Sequence, residues 1–139
     1  MKYIYSKIEP ELLLHVIFRF EDFNTIDGFR NNIISPDNFI QCAALKMDSG
    51  KTFRPHKHIT NEVTENKIAQ ESWIVLKGKV RCSFFDIDDK ILDMVILNEG
   101  DCSFTLRGGH NYFIIEDNTK VLEYKTGPYT GQESDKIFI

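Results

Sequence analysis

The stretch Val80-Arg81-Cys82-Ser83-Phe84-Phe85-Asp86-Ile87-Asp88-Asp89-Lys90-Ile91, continuing to Leu97, reads as a β-hairpin. Val80, Cys82 and Phe84 fall on alternate positions, so one strand face is apolar and the other carries Arg81 and Ser83. Asp88-Asp89 supplies a turn, and strand character resumes at Ile91. Working outward, runs rich in β-branched and aromatic residues recur at 12–20, 39–47, 72–76, 112–115 and 121–125. Asn98-Glu99-Gly100-Asp101 and Glu116-Asp117-Asn118-Thr119 mark two further turns. The stretch 21–38 is less regular, with a loop at Ser35-Pro36-Asp37 and room for one helical turn before it. Many short strands separated by turn residues predict an all-β sandwich or barrel. The 139 residues suit a single domain over 1–139, with no repeat and no linker.

Charge and composition narrow the function classes. A net charge of -4, with no Lys/Arg-rich run, offers no basic face for nucleic acid. The apolar run 12–20 is broken by His15 and Arg19 and is too short to span a bilayer. Only Lys2 precedes Tyr3-Ile4-Tyr5, and no small-residue cleavage site follows, so neither export nor membrane insertion is expected. Cys42, Cys82 and Cys102 are odd in number and lack CxxC spacing. They are expected to be reduced, buried and apolar, which suits the cytoplasm. The polar tail from residue 127 ends in Ile137-Phe138-Ile139, which should dock on its own barrel or on a neighbouring subunit.

Three of the four histidines stand where metal chemistry would want them. His56 and His58 flank Lys57, and on a strand residues i and i+2 project from one face, so both imidazoles can converge on one ion. Gly50 precedes His56 with five residues between, and Glu71 precedes Gly78 with six between. Gly100, an apolar run and then Gly108-Gly109-His110 follow. On these residues the segment 50–115 resembles the cupin superfamily, whose two motifs read G-x5-H-x-H-x(3–4)-E-x6-G and G-x5-P-x-G-x2-H-x3-N. Twelve residues separate His58 from Glu71, so 60–70 is expected to form an enlarged hairpin loop. Glu62 has the shorter spacing but no glycine seven positions on, so Glu71 is preferred, with Gln70 facing the other side. Leu106 replaces the motif proline, His110 arrives one residue early, and Ile114 stands in the asparagine's place.

The resemblance implies an antiparallel double-stranded β-helix, or jelly-roll barrel, holding one divalent transition metal ion on His56, His58, Glu71 and His110. Three imidazoles and a carboxylate suit Mn, Fe, Ni or Zn. Trp73, Phe84, Phe104 and Phe113 are candidate lining residues of the barrel interior. Arg54, Lys57 and Arg107 are placed near the mouth, where they would meet an anionic substrate, and Trp73 is counted with them as substrate-binding. Tyr112, two residues after His110 on a strand, and Glu123, on a late alternating strand, are the candidate acid–base groups. His15 has no partner motif and reads as a surface or structural histidine. No Ser–His–Asp order, phosphate loop or dinucleotide fingerprint is present.

The expected function is a metal-dependent enzyme acting on a small polar metabolite, a sugar or a hydroxy or keto acid. Isomerase or epimerase chemistry leads, with the ion as Lewis acid. An iron-dependent dioxygenase and a non-enzymatic ligand-binding module with a structural metal stay open beside it. A homodimer is expected, because cupins commonly pair through sheet edges and exposed edges need cover.

Overall fold

The computed structural model describes residues 1–61 and 67–139. The chain opens with a hairpin, β1 (Lys2–Tyr5) and β2 (Leu13–Ile17), followed by a 3-10 turn at Phe20–Thr25. Then come β3 (Arg30–Ile34), β4 (Ile40–Met47), β5 (His56–His58), β6 (Thr60–Asn61) and β7 (Lys67–Ile68). The second half holds β8 (Glu71–Lys77), β9 (Val80–Phe85), β10 (Ile91–Leu97), β11 (Cys102–Thr105), β12 (Gly109–Ile114) and β13 (Thr119–Thr126). A single helical turn, α1 (Gln132–Asp135), leads into β14 (Lys136–Phe138).

Two five-stranded antiparallel sheets face each other, in the orders β10-β9-β12-β5-β14 and β11-β8-β13-β4-β3. From β8 onward the chain passes back and forth between them, which is the winding of a jelly roll. The β9–β10 hairpin turns where the sequence places it, with Asp89 at φ 69°. Gly78 closes the β8–β9 turn at φ +85°, with Thr119 packed where a side chain would stand.

Alternation along the strands sorts side chains into two layers. Leu45, Trp73, Val75, Val80, Cys82, Tyr112, Ile114 and Val121 meet between the sheets. On the outer face of the β3–β4 sheet, Phe23 from the 3-10 turn and Ile26 just after it cover Ile33, Cys42 and Ala44. This outer layer explains the irregular look of 21–38: the segment is a cover plate, with one short turn and one edge strand. Cys42 and Cys82 are buried, and burial pushes the Cys82 thiol up to about 12. Cys102 is exposed, against expectation, because the face of β11 that meets the core carries Ser103 and Thr105 instead. The same alternation corrects two expected lining residues. Phe104 is 68% exposed, and Phe113 points outward beneath the Arg81 guanidinium, 4.7 Å from its ring centre. Phe84 packs partly buried against the core between the sheets. Glu62 and the middle of the expected hairpin loop, 62–66, lie outside the described residues, and β6 and β7 pair antiparallel on either side of it.

Candidate metal centre

Strand pairing assembles the site from three strands. β12 runs antiparallel to β5 with His110 directly opposite His56, while His58 sits two residues along on the same face. Gly109 permits that approach: a Cβ there would lie 3.2 Å from the His56 carbonyl oxygen and 3.2 Å from the Phe85 Cβ. Glu71 reaches across from the first position of β8 in the facing sheet. All four side chains are buried, and one ligand atom from each lies within 4.8 Å of the others.

Glu71 is the hub. One carboxylate oxygen lies 3.3 Å from His58 Nε2, and the other 3.3 Å from His110 Nε2. The Trp73 indole N–H donates to that second oxygen at 3.1 Å, and the Trp73 ring stacks on Tyr112 with centres 3.9 Å apart. Burial alone would raise the Glu71 carboxyl. The His110 and His58 imidazoles beside it outweigh that effect and hold the group well below the usual carboxylate range. Burial pulls His56 down to about 4, helped by the neighbouring His110 and Lys136, so His56 is a neutral imidazole. Burial opposes protonation of His58 too, but Asp135 and Glu71 overcome it and raise that imidazole above its ordinary value.

Of the ring nitrogens turned away from the cluster, those of His56 and His58 face groups the sequence did not disclose, while His110 Nδ1 is buried without a hydrogen-bond partner among the described residues. His56 Nδ1 faces the Arg54 carbonyl oxygen at 3.0 Å, which leaves Nε2 directed inward. His58 Nδ1 faces Asp135 Oδ2 at 3.2 Å, and Lys125 Nζ holds the same oxygen at 2.5 Å. A ligand histidine braced by a carboxylate is the usual supporting arrangement at metal sites. Asp135 carries no motif spacing. Its position in an acidic turn next to the apolar terminus was the only available signal. His110 Nε2 is buried and has no hydrogen-bond partner among the described residues, although it points at Glu71. A buried imidazole nitrogen left without a hydrogen bond costs free energy, and a cation between His110 and Glu71 would satisfy it. Three imidazoles, one ionised carboxylate and an orphaned donor atom therefore fit a divalent ion.

A cavity of about 500 Å³ opens onto this cluster, lined by His56, Glu71, Trp73, Tyr112, Arg30, Glu123, Lys125, Tyr129 and Lys136 among others. Tyr112 and Glu123 are both on its wall. The Tyr112 hydroxyl lies 3.1 Å from Ser103 Oγ, and burial pushes its pKa well up. Glu123 is held by Arg30 at 2.6 Å, yet burial and the charge of Glu71 leave its carboxyl raised.

The three expected mouth cations do not line this cavity. Lys57 alternates with the two histidines, so it faces away from them and pairs with Asp89. Arg54 lies over the Phe138 ring, 4.3 Å from its centre. Arg107 borders a separate hollow with Gln70, Leu106 and Phe39, which contains none of the four clustered side chains. The basic lining comes instead from Arg30, Lys125 and Lys136, on strands distant in sequence from the motif. His15 is exposed on β2.

No family model and no curated protein sequence matches the chain. Among solved structures, it is similar to a cupin-2 domain containing protein from Shewanella frigidimarina, with TM-score 0.58 and 17% identity, over 80% of this chain and 95% of that one. It is also similar to a tryptophan-to-phenylalanine variant of the oxalate decarboxylase of Bacillus subtilis, with TM-score 0.60 and 12% identity, over 82% of this chain and 29% of that one. The capsular polysaccharide assembling protein CapF from Staphylococcus aureus gives TM-score 0.65 and 16% identity, over 96% of this chain and 36% of that one. The chain thus spans about a third of the length of the last two.

Proposed function

We propose that this chain, which has the cupin fold, is a metal-dependent enzyme acting on a small polar metabolite at the cluster of His56, His58, Glu71 and His110. The observation that carries the reading is the 500 Å³ cavity ending on that cluster. Its volume suits a small metabolite. Fold neighbours include an oxalate decarboxylase and a capsular polysaccharide assembling protein, so small anions and sugars are both chemistries this fold serves.

When bound, the divalent ion would supply Lewis acidity, polarising a carbonyl or hydroxyl oxygen of the substrate. The chain's own residues do the rest. Trp73 orients the Glu71 carboxylate, and Asp135 and the Arg54 carbonyl set the His58 and His56 rings. Glu123, a carboxyl raised by burial on the cavity wall, is the group suited to receive and return a proton in isomerisation or epimerisation. Arg30 fixes its direction.

The test begins with metal content: protein purified without an affinity tag should hold one divalent ion per chain, and His110→Ala should lose it. Stabilising ligands from a panel of sugars and hydroxy and keto acids should then be converted, and Glu123→Gln should slow turnover by roughly 10²-fold or more. Sub-stoichiometric metal after reconstitution would defeat the proposal.

One observation favours a second reading, a ligand-binding module with a structural metal. Both acid–base candidates are tied up, Tyr112 to Ser103 and Glu123 to Arg30. Stoichiometric metal and tight ligand binding, with no product formed from any bound ligand, would select it. A homodimer in the cytoplasm belongs to the same proposal. Exposed Phe39, Ile40, Phe104 and Leu106 offer apolar surface for a second copy, and sedimentation equilibrium decides the state. No described helix is long and apolar enough to cross a membrane.

A further inference from the structure

Lys136 reaches the metal cluster through the register of the last strand. β14 pairs with β5 so that Lys136 stands opposite His58 and Phe138 opposite His56, while Ile137 turns outward. The Lys136 ammonium thereby lies 3.4 Å from His56 Nε2, the ring nitrogen left for a metal because Nδ1 faces the Arg54 carbonyl.

The other two cations of the cavity are neutralised. Arg30 pairs with Glu123 at 2.6 Å, and Lys125 with Asp135 at 2.5 Å. Lys136 has no carboxylate oxygen within 4.0 Å among the described residues. Three acidic groups, Glu71, Glu123 and Asp135, already balance the three cationic ones. A divalent ion at the cluster would add two positive charges beside an ammonium, in a partly desolvated space where unbalanced charge is costly. An anion shared between the two relieves both.

We propose that Lys136 seats the carboxylate of a 2-oxo or 2-hydroxy acid whose neighbouring oxygens meet the metal centre. This deepens, and rests on, the metal-dependent reading above. Such an acid offers one carboxylate oxygen and the adjacent carbonyl or hydroxyl oxygen as donors for the ion, and keeps the second carboxylate oxygen for the ammonium. A neutral sugar offers hydroxyl donors but leaves the excess charge in place. Specificity for the acid thus comes from the chain terminus, outside the motif region.

Pyruvate and its uncharged methyl ester are the probes, applied to metal-loaded protein by calorimetry and thermal shift, with metal content measured in parallel. Pyruvate should raise the melting temperature of the wild type and the ester should not. Lys136→Met should keep wild-type metal content and bind pyruvate at least tenfold more weakly, with Lys136→Arg restoring most of the affinity. The proposal is overturned if the ester binds as well as pyruvate, if pyruvate does not bind, or if Lys136→Met binds it unchanged. The pyruvate–ester comparison needs no variant, so it stands even where Lys136→Met fails to fold. A wild type that takes up no metal overturns the metal-dependent reading itself, and this proposal with it.

Discussion

His58 sits between two carboxylates, Glu71 at 3.3 Å from Nε2 and Asp135 at 3.2 Å from Nδ1. Only the first can share an ion with it, so Asp135 is a positioning residue: it fixes which nitrogen carries the proton and aims the other inward. Asp135→Asn keeps the size and removes the charge. Its metal affinity should fall roughly 10- to 100-fold in competition with a chelator, with secondary structure unchanged by circular dichroism. Unchanged affinity would mean that the strand register alone holds the ring. His56 gives a pH prediction for the metal-free protein. Its folded pKa of about 4 lies below the unfolded value of 6.5. As pH falls below 6.5, the unfolded chain gains a proton that the folded one resists, so this residue's contribution to stability declines down to about pH 4. His58 works in the opposite sense: its raised pKa stabilises fully below 6.5, and that stabilisation fades as pH rises through the folded value. Measuring His56→Gln against wild type isolates the first effect. The variant should gain about 2 kcal/mol relative to wild type between pH 7.5 and 5 in urea melts. A parallel pair of curves would refute it.

At the scale of elements, the C-terminal strand is the most consequential piece outside the motif region. β14 covers the edge of β5 and, with the helical turn α1 before it, brings Lys136 and Asp135 to the two paired histidines. A chain ending at residue 130 should therefore melt several degrees lower and lose at least tenfold in metal affinity, while the core between the two sheets stays assembled. Full metal affinity in the truncated chain would show the terminal strand to be a cover only. Strands whose alternation is strong and whose turns are acidic or glycine-bearing were legible in sequence. The β9–β10 hairpin and the His56–His58 face are examples, because period-two patterning and turn chemistry are local. β3 and β14 were not legible: Arg30-Asn31-Asn32 and Lys136-Ile137-Phe138 have no period of their own and become strands by pairing with β4 and β5. The same limit applies to the site. Spacing could nominate the four clustered side chains, but not the cavity cations, since Arg30, Lys125 and Lys136 gather only through sheet topology. Proximity in sequence favoured Arg54, Lys57 and Arg107, and strand alternation and loop position turned those elsewhere.

For the whole molecule, the question is whether the ion holds the fold or the fold holds the ion. The apolar layer around Trp73, Tyr112, Leu45, Val75 and Val121 is fully buried and lies beside the cluster, joined to it by the Trp73 indole N–H on Glu71. A chain of 139 residues with such a core does not need a metal to fold, unlike small domains whose core is too slight. The ion should then act as a ligand of the folded state, adding stability by mass action. At a free metal concentration 1,000 times the dissociation constant, that is about 4 kcal/mol. For a domain of this size, the corresponding rise in melting temperature is roughly 8–16 °C. Chelator-stripped protein should therefore keep a cooperative unfolding transition and the near-ultraviolet signal of the stacked Trp73–Tyr112 pair, and should melt lower by about that interval. The midpoint should climb with added metal in proportion to the logarithm of its concentration. A stripped chain with no cooperative transition would place the cation in the folding nucleus. A midpoint indifferent to metal would show that the four side chains, close as they are, bind none.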